Sequence, residues 1–465
     1  MSVTRTMPRL MIAGISGGAG KTLVSMGLLL LLRRAGIAVH AFKKGPDYID
    51  AAWLSWASGS PARNLDTYLM GSEGVRSSFL QHGITEGINV IEANRGLFDG
   101  FDAQGTHSSA VLAEALTAPV LLVVNATKMT RSAAAIVLGC QKLDPSVSIR
   151  GVILNNVNGR RHEQVLRASI ESICGVPVVG AIPKGKVNPI PERHLGLLPP
   201  SEHSGMSRIE AEVLEILQGK IDVEAILKIA RNAPPLTGLG EPSVQLPDGH
   251  GLKIGCLKDS AFSFYYPENL EQIEQSGAEL ISISPLQAAQ LPEDLNALYI
   301  GGGFPETHAE ALAANQPMLR SIRAAAESGL PIYAECGGLI LLSRSLRWKG
   351  TRYEMSGVFP LDVEVFDTAQ GHGYVELLVD RANPFFKVGT TLRGHEFHYS
   401  QIVPLAGTGP TACEVRRGTG CCDRRDALLM NNVWASYTHL HALATPEWAQ
   451  GLIAAAANFV APALR

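Results

Sequence analysis

Short apolar runs alternate with stretches of helical periodicity through the first half of the chain. Five runs have the length and apolar character of buried strands: 10–13, 39–42, 89–92, 120–125 and 151–155. Segments of ten or more residues with helical spacing of apolar positions separate most of these runs. Strands that alternate with helices in this way are typical of a parallel sheet whose two faces are covered by helices.

The composition changes between residues 233 and 251, where four prolines and four glycines occur. Such a stretch indicates a linker. Strand-like runs then resume, at 252–257, 279–283, 297–300 and 331–334. After residue 350 the pattern becomes shorter and more β-like, and it ends in a helical segment near 446–459. We therefore predict two α/β domains, residues 1–232 and 252–465, joined by a linker at 233–251.

Size and composition narrow the class of protein. A chain of 465 residues with 46% apolar and 18% charged residues is expected to fold into more than one globular domain. Its net charge of −3 provides no bulk attraction to nucleic acid or anionic lipid. Seven scattered cysteines do not make a disulfide framework, and the longest apolar run, 28–32, is far too short to span a membrane. The N-terminal segment is too short for a signal peptide, so we expect a cytoplasmic protein without nucleic-acid or membrane partners.

A glycine-rich turn over residues 16–22 separates the first strand from the first helical segment. Backbone amides in such a turn close around phosphate oxygens, while its lysine adds positive charge and its threonine hydroxyl reaches magnesium. The strict P-loop pattern has glycine where this chain has Ile15, so the match is closer to the variant loop of partition ATPases and dethiobiotin synthetases. An ordinary glycine-rich turn is the alternative. The expected ATP-binding residues of this turn are Gly17, Gly18, Ala19, Gly20, Lys21 and Thr22.

Charged side chains follow the second and third predicted strands. Lys43, Asp47 and Asp50 come just after the second strand, and Glu92 ends the third. Because ligands bind at the carboxyl ends of strands in open α/β sheets, we predict that Mg²⁺ is held by Thr22, Asp47 and Glu92. Lys43 would balance phosphate charge, and Asp50 would hold magnesium or position an attacking group. Solvated charges in a surface turn are the alternative.

Three further polar residues follow or end predicted strands. Asp99 follows Glu92 by seven residues, between two glycines, and Asn155 and Asn156 end the fifth strand. An asparagine amide offers both a donor and an acceptor, so Asn155 and Asn156 are candidates to read the edge of adenine. A simple asparagine turn and a surface acid are the competing interpretations.

A nucleophile is predicted in the second half of the chain. Cys336 follows an apolar strand and precedes Gly337 and a helical run, which is the arrangement of a nucleophile elbow. Such an elbow is expected to expose the sulfur at a helix N-terminus, where the thiolate is favoured. Oxyanion donors are expected from Gly337, Gly302 and Gly303, and His439 is the candidate base. A small buried hydrophobic cysteine is the alternative.

These motifs together resemble a known family. The first half is similar to dethiobiotin-synthetase-like P-loop proteins, and the second half is similar to class I glutamine amidotransferases. Combined, they resemble the cobyrinic acid a,c-diamide synthase family over essentially the whole chain. The segments that carry this resemblance are 43–50, 97–100, 301–306, 335–338, 393–400 and 437–439.

The resemblance implies an α/β protein of two domains: a P-loop NTPase domain with a parallel sheet and a flavodoxin-like glutamine amidotransferase domain. It implies that Cys336 and His439 release ammonia from L-glutamine, and that MgATP activates the a and c acetate carboxylates of a corrin or related tetrapyrrole as acyl phosphates. A homodimer is compatible with the sequence, which leaves the oligomeric state open. The residues expected at the substrate and acyl phosphate are Lys43, Asp47, Tyr48, Asp50, Arg95 and Asp99.

Two positions depart from the family pattern. Most class I amidotransferases have a glutamate two residues after the catalytic histidine, but this chain has His441, which leaves open what orients His439. The segment 92–96 differs from the expected Glu-Gly-x-Met-Gly and is similar to relatives that amidate sirohydrochlorin or sirohaem. Its Arg95 would pair with a substrate carboxylate. The tetrapyrrole is therefore open between a corrin and these alternatives.

Two other classes of function compete with this interpretation. A partition-type ATPase switch with a binding module would explain the glycine loop, but it gives Cys336 and His439 no role. A glutaminase-like hydrolase with a vestigial P-loop would explain those two residues, but it leaves Asp99 and the segment 43–50 without one.

Overall fold

The computed structural model divides the chain into two compact units, Met1–Pro242 and Ser243–Arg465. The residues that the structure describes are 2–185, 189, 192–193, 196–197, 199–203, 205–239, 245–403 and 409–460. Each unit has helices on both faces of its main sheet, so the predicted two-domain α/β class is confirmed. Within the described residues, no helix is long and apolar enough to cross a membrane.

The first unit is built around a sheet of seven strands in the order β4-β3-β5-β2-β6-β7-β8, and every neighbouring pair is parallel. Its strands are β1 (Ser2–Arg5), β2 (Arg9–Gly14), β3 (Val39–Lys44), β4 (Arg63–Leu65), β5 (Ile88–Glu92), β6 (Val120–Asn125), β7 (Ile149–Val157), β8 (Val178–Pro183), β9 (Glu192–Arg193), β10 (Gly196–Leu197) and β11 (Leu236–Leu239). Its helices are α1 (Lys21–Arg34), α2 (Tyr48–Ser58), α3 (Thr67–His82), α4 (Ser109–Ala115), α5 (Ser132–Leu143), α6 (Arg160–Cys174), α7 (Met206–Leu217) and α8 (Val223–Arg231), with a 3₁₀ turn at Pro200–Glu202.

Alternate side chains of these strands enter two separate cores. In β2, Met11 packs with the helices α3 to α6, whereas Leu10 and Ile12 pack with α1, α2, α7 and α8. All three side chains are fully buried. Apolar residues on both faces of a strand give the continuous runs that the sequence shows, because a parallel sheet is covered on both sides.

The second unit is built around a mixed sheet of ten strands in the order β13-β12-β14-β15-β24-β23-β22-β19-β20-β25. Its strands are β12 (Lys253–Leu257), β13 (Glu279–Ile283), β14 (Ala297–Ile300), β15 (Ile332–Glu335), β16 (Ser345–Trp348), β17 (Thr351–Glu354), β18 (Asp362–Val365), β19 (Gly371–Val379), β20 (Thr391–His398), β21 (Ser400–Val403), β22 (Thr411–Arg417), β23 (Arg425–Met430), β24 (Val433–Ser436) and β25 (His439–Leu440). Its helices are α9 (Pro267–Gln275), α10 (Ala309–Ala314), α11 (Gln316–Glu327), α12 (Gly337–Leu342) and α13 (Glu447–Asn458), with a 3₁₀ turn at Pro305–His308.

The first five strands of this sheet are parallel and follow the order 2-1-3-4-5 of the flavodoxin-like fold. The remaining five extend the sheet by antiparallel pairing. Strand β15 shows how the two cores share one strand, because Ile332 and Ala334 face one cluster and Tyr333 faces the other. The flavodoxin-like prediction is therefore confirmed.

The predicted linker at 233–251 contains regular structure. Its residues Leu236–Leu239 form β11, which pairs antiparallel with β1 of the first unit. Residues 240–244 lie outside the described part of the chain. The domain limits 1–232 and 252–465 remain a proposal.

Candidate active sites

The glycine-rich turn joins β2 to α1 and adopts a conformation that needs glycine. Gly20, which caps α1, has φ of 98°, and Gly18 has φ of 69°. A β-carbon on Gly20 would collide with Nδ2 of Asn155. That amide donates to the carbonyl of Ala19 at 2.9 Å. Asn155, at the end of β7, therefore stabilises the conformation of the glycine loop.

The P-loop lysine reaches across to the segment after β5. Lys21 Nζ donates to the carbonyl of Ser16 at 3.1 Å and to that of Arg95 at 2.7 Å. Arg95 has a left-handed φ of 48° and an exposed side chain. Burial lowers the pKa of Lys21, and the neighbouring Lys43 lowers it further. The lysine thus connects the phosphate loop to the loop that carries Arg95 and Asp99.

A buried charge cluster lies at the carboxyl ends of β3 and β5. Lys43 Nζ donates to Asp50 Oδ2 at 2.6 Å and to Glu92 Oε1 at 2.7 Å. The Thr22 hydroxyl donates to the same Glu92 oxygen at 2.9 Å. Burial opposes the charge on Lys43, but Asp50 and Glu92 raise its pKa above the ordinary value. The cluster therefore places the Lys43 ammonium group and the Thr22 hydroxyl against two carboxylates.

Asp47 caps helix α2 beside this cluster, because its side chain accepts from the Asp50 N–H at 2.9 Å. Burial raises the pKa of Asp47 to about 7, and the charge of Asp50 adds to the rise. Burial likewise raises the pKa of Glu92, although Lys43 opposes this. Carboxylates whose pKa is raised by burial favour a bound cation nearby, because their ionisation without one is costly.

The residues predicted to hold Mg²⁺ fit a magnesium ion. Glu92 Oε2 is buried and has no hydrogen-bond partner among the described residues, so a ligand oxygen is available there. Thr22 and Asp47 supply the hydroxyl and carboxylate oxygens that Mg²⁺ prefers in phosphate-binding sites. The Thr22 hydroxyl contacts Glu92 directly, and Asp47 lies next to them at the N-terminus of α2, where it contacts Asp50.

The remaining predicted residues of the first unit have different surroundings. Asp99 Oδ2 accepts from the Gly96 N–H at 2.9 Å and so fixes the turn that follows β5. Tyr48 is the half-buried first residue of α2. Asn156 Nδ2 donates to Asn125 at 3.2 Å. These contacts stabilise strand ends; recognition of adenine by Asn155 and Asn156 stays a prediction.

Cys336 lies at a sharp bend between β15 and α12. It has φ of 47° and ψ of −96°, a strained conformation for a residue with a side chain. Its N–H donates to the Ser436 carbonyl at 2.7 Å, which anchors the bend to β24. Strain of this kind persists only where the surroundings impose it, and it is typical of a nucleophile elbow.

Backbone of the oxyanion segment packs directly against this elbow. A β-carbon on Gly337 would lie 3.0 Å from the Gly303 nitrogen, and one on Gly302 would lie 2.5 Å from His439 Cε1. Gly303 has φ of 157° and passes so close to the Ala261 carbonyl that no side chain fits. The three predicted glycines and His439 are therefore neighbours.

The prediction of an exposed sulfur with a favoured thiolate is wrong. The Cys336 side chain is buried, at 6% exposure. Burial raises the pKa of the Cys336 thiol well above its ordinary value, the charge of Glu306 raises it further, and the Gly337 N–H lowers it. The thiol therefore needs a base to take its proton.

An acid that the sequence argument missed contacts that base. Glu335 Oε2 lies 3.3 Å from His439 Nδ1, and its other oxygen accepts from the Leu440 N–H at 3.1 Å. His441 Nε2 instead lies 3.5 Å from Glu268. The signal for Glu335 was an acid that ends an apolar strand, the same signal that identified Glu92.

Comparisons with known proteins agree with the two-domain fold. A family model described as the CobQ/CobB/MinD/ParA nucleotide binding domain matches residues 10–198, and one described as the CobB/CobQ-like glutamine amidotransferase domain matches 253–447. Curated proteins named cobyrinate a,c-diamide synthase match nearly the full length. That of Magnetococcus marinus is 42% identical over 95% of this chain and 96% of its own. The chain belongs to the cobyrinate a,c-diamide synthase family.

Two further members of this family show similar likeness. The Archaeoglobus fulgidus protein is 38% identical over 96% of this chain and 97% of its own length, and that of Dehalococcoides mccartyi strain CBDB1 is 40% identical over 97% and 99%. For this member of the cobyrinate a,c-diamide synthase family, the nucleotide-binding and glutamine amidotransferase domains are established. The roles of individual residues remain proposals.

Proposed function

We propose that this chain uses ATP and glutamine to convert the a and c acetate carboxylates of cobyrinate into amides. The observation that carries the proposal is the strained elbow of Cys336, packed against the Gly302–Gly303 backbone beside His439. A small buried cysteine needs neither the strain nor those neighbours. The choice of cobyrinate is supported by relatives named for it that match at least 95% of this chain.

In the glutaminase half, Cys336 sulfur attacks the side-chain amide carbon of glutamine while His439 takes the thiol proton. The oxyanion receives hydrogen bonds from the N–H groups of Gly337 and of the Gly302–Gly303 segment. His439 then returns the proton to the departing nitrogen, and ammonia leaves a thioester on Cys336. Water hydrolyses that thioester to glutamate and restores the thiol.

In the synthetase half, a substrate carboxylate attacks the γ-phosphorus of ATP and ADP departs, which gives an acyl phosphate. Ammonia then attacks the acyl carbon and phosphate leaves. Lys21 and the loop amides bind phosphate oxygens, and Lys43 balances charge between Asp50 and Glu92. Mg²⁺ held by Thr22, Asp47 and Glu92 would supply further charge neutralisation.

Features of the loop after β5 suit a flat, carboxylate-bearing substrate. Arg95 is exposed beside the P-loop lysine and can pair with a carboxylate. Tyr68 at the start of α3 stacks at 5.6 Å on Phe101, and His107 meets both rings edge-on. We propose that this aromatic group contacts the macrocycle. The same features would also accept sirohydrochlorin, which is the second candidate substrate.

The cellular setting follows from the chemistry. All seven cysteines are free thiols, which suits a reducing cytoplasm. The small net negative charge gives no bulk attraction to nucleic acid or lipid. We therefore propose a cytoplasmic enzyme whose partners are ATP, L-glutamine and the tetrapyrrole, with a homodimer as one arrangement to test.

Mass spectrometry of products tests the proposal. Cobyrinic acid and sirohydrochlorin are offered separately with MgATP and glutamine. We expect cobyrinic acid to gain two amides, with ADP release that depends on it. Amidation of sirohydrochlorin alone would change the substrate, and glutamine hydrolysis without any amide product would favour a glutaminase.

A further inference from the structure

We propose that Glu335 is the positioning residue that orients His439, so that the glutaminase uses a Cys336–His439–Glu335 triad. The acid comes from the residue before the nucleophile instead of from the position two residues after the histidine. This inference rests on the proposed glutaminase activity. It assigns a role to a buried acid that the mechanism above does not use.

The contacts of Glu335 converge on the histidine and on its strand. Its Oε2 lies 3.3 Å from His439 Nδ1 and accepts from the Tyr299 hydroxyl at 3.4 Å, and its Oε1 accepts from the Leu440 N–H at 3.1 Å. Glu335 is 0% exposed. A buried carboxylate is costly unless donors surround it, and the contacts with Tyr299, His439 and Leu440 meet that requirement here.

His441 occupies the position where most class I amidotransferases have the glutamate, and its contacts are with other residues. His441 Nε2 lies 3.5 Å from Glu268 Oε2, and the His441 ring packs 4.5 Å from Tyr266. Both His441 and Glu268 are buried. His441 is thus engaged with a second acid, while Nδ1 of His439 faces Glu335.

The pairing of strands explains why Glu335, which precedes Cys336, also contacts His439. Glu335 ends β15 immediately before Cys336, and its register partner on β24 is Ser436. The chain from Ser436 leads directly to His439, whose register partner on β20 is His395. The His395 ring stacks on His439 at 5.0 Å. The imidazole is therefore held on one face by His395 and at Nδ1 by Glu335.

This placement sets the proton positions that catalysis requires. With its Nδ1–H donated to Glu335, His439 keeps an unprotonated Nε2, which lies on the side of Gly302. Nε2 can then take the proton of the buried thiol as sulfur attacks. The carboxylate stabilises the imidazolium until His439 returns that proton to the leaving nitrogen.

Glu335→Gln tests the role with little change in shape. We expect the kcat of glutamine hydrolysis to fall by about 10²- to 10⁴-fold, as when the orienting acid of a comparable triad becomes an amide, while KM for glutamine changes little. Amidation supported by ammonium chloride should stay at the wild-type rate. Labelling of Cys336 by 6-diazo-5-oxonorleucine should slow in parallel with kcat.

Glu268→Gln is the matched control, since it alters another buried glutamate of the same unit that contacts a histidine. We expect it to leave the glutamine kcat within about threefold of wild type, a margin comparable to one weakened neutral hydrogen bond. Glu335→Asp, which keeps the charge but shortens the side chain, should recover part of the lost kcat.

The outcomes separate this inference from the proposed function. A wild-type protein that does not hydrolyse glutamine refutes the proposed function itself. The positioning role is overturned if the Glu335→Gln variant keeps the wild-type kcat. It is also overturned if the variant loses ammonia-dependent amidation and its melting temperature falls, because Glu335 would then be structural.

Discussion

Asn155 shows how a single side chain can support a binding loop through contacts within the protein. Its Nδ2 donates to the Ala19 carbonyl, and its Oδ1 accepts from the Asn156 N–H at 2.9 Å. Both groups of the amide are therefore engaged within the protein. A buried carbonyl that loses its donor costs about 1–3 kcal/mol, and here that cost falls on the phosphate loop.

Replacement of Asn155 by alanine should therefore weaken nucleotide binding. We expect KM for ATP to rise by about tenfold, which corresponds to about 1.4 kcal/mol, and glutamine hydrolysis by the other unit to remain. Steady-state kinetics with varied ATP measures this. Asn158→Ala, an exposed neighbour on the same segment, is the control and should match wild type. An unchanged KM in Asn155→Ala would mean that the loop keeps its shape unaided.

At the scale of elements, the two candidate sites use the same device. Strand β2 leads into a glycine loop and α1, and strand β15 leads into the elbow and α12. Each junction carries a residue with positive φ, Gly20 at 98° and Cys336 at 47°. Such conformations cost energy in residues with side chains, and they project backbone N–H groups toward a ligand.

Gly20→Ala should disrupt the first of these junctions. An alanine there has an unfavourable φ and collides with Asn155, so we expect a loss of about 1–3 kcal/mol and failure to bind ATP. Gly139→Ala is the control, because a side chain there meets open space on the exposed face of α5 and should stabilise the helix by up to about 1 kcal/mol. Thermal melting with and without ATP distinguishes the two. Equal melting temperatures would contradict the strain argument.

Among the described residues, the apolar pattern predicted five of the seven strands in the first unit's main sheet, but only the four parallel strands β12 to β15 of the ten in the second unit's main sheet. The runs 120–125 and 279–283 match β6 and β13 to the residue, because each is a continuous apolar or alternating stretch that ends in a turn. Strand β4 was missed because its three residues, Arg63–Leu65, include two polar ones. Strand β8 (Val178–Pro183), the edge strand beside β7, was also missed.

At the scale of the whole molecule, the chain combines two proposed half-reactions, and the amidation half uses the ammonia that the glutaminase half releases. Each unit has its own sheet and cores, so a change in one site should leave the other folded. The strained elbow of Cys336 in the second unit is the feature that favours an amidoligase over an ATPase switch, because a module that only binds a partner does not need it.

Cys336→Ala tests that division of labour. We expect glutamine-dependent amidation to disappear while high ammonium concentrations still support it, because ATP activation does not use the thiol. The measurement is amide product formed from each nitrogen source. Cys413→Ala removes another buried cysteine of the same unit and should keep both activities. Loss of both activities in Cys336→Ala would mean that the cysteine has been misassigned.

The sequence alone determined the α/β class and the position of the phosphate loop and pointed to Cys336 as the candidate nucleophile, because periodicity, turn glycines and strand-end residues are local properties. The tertiary structure decided what local pattern cannot contain. Glu335 and His439 are 104 positions apart and meet only because β15 pairs with β24. The tertiary structure also decides that the Cys336 thiol is buried and that Asn155 donates a hydrogen bond to the Ala19 carbonyl, because both depend on which elements become neighbours. Periodicity reports that a strand is buried, but only packing determines what it is buried against.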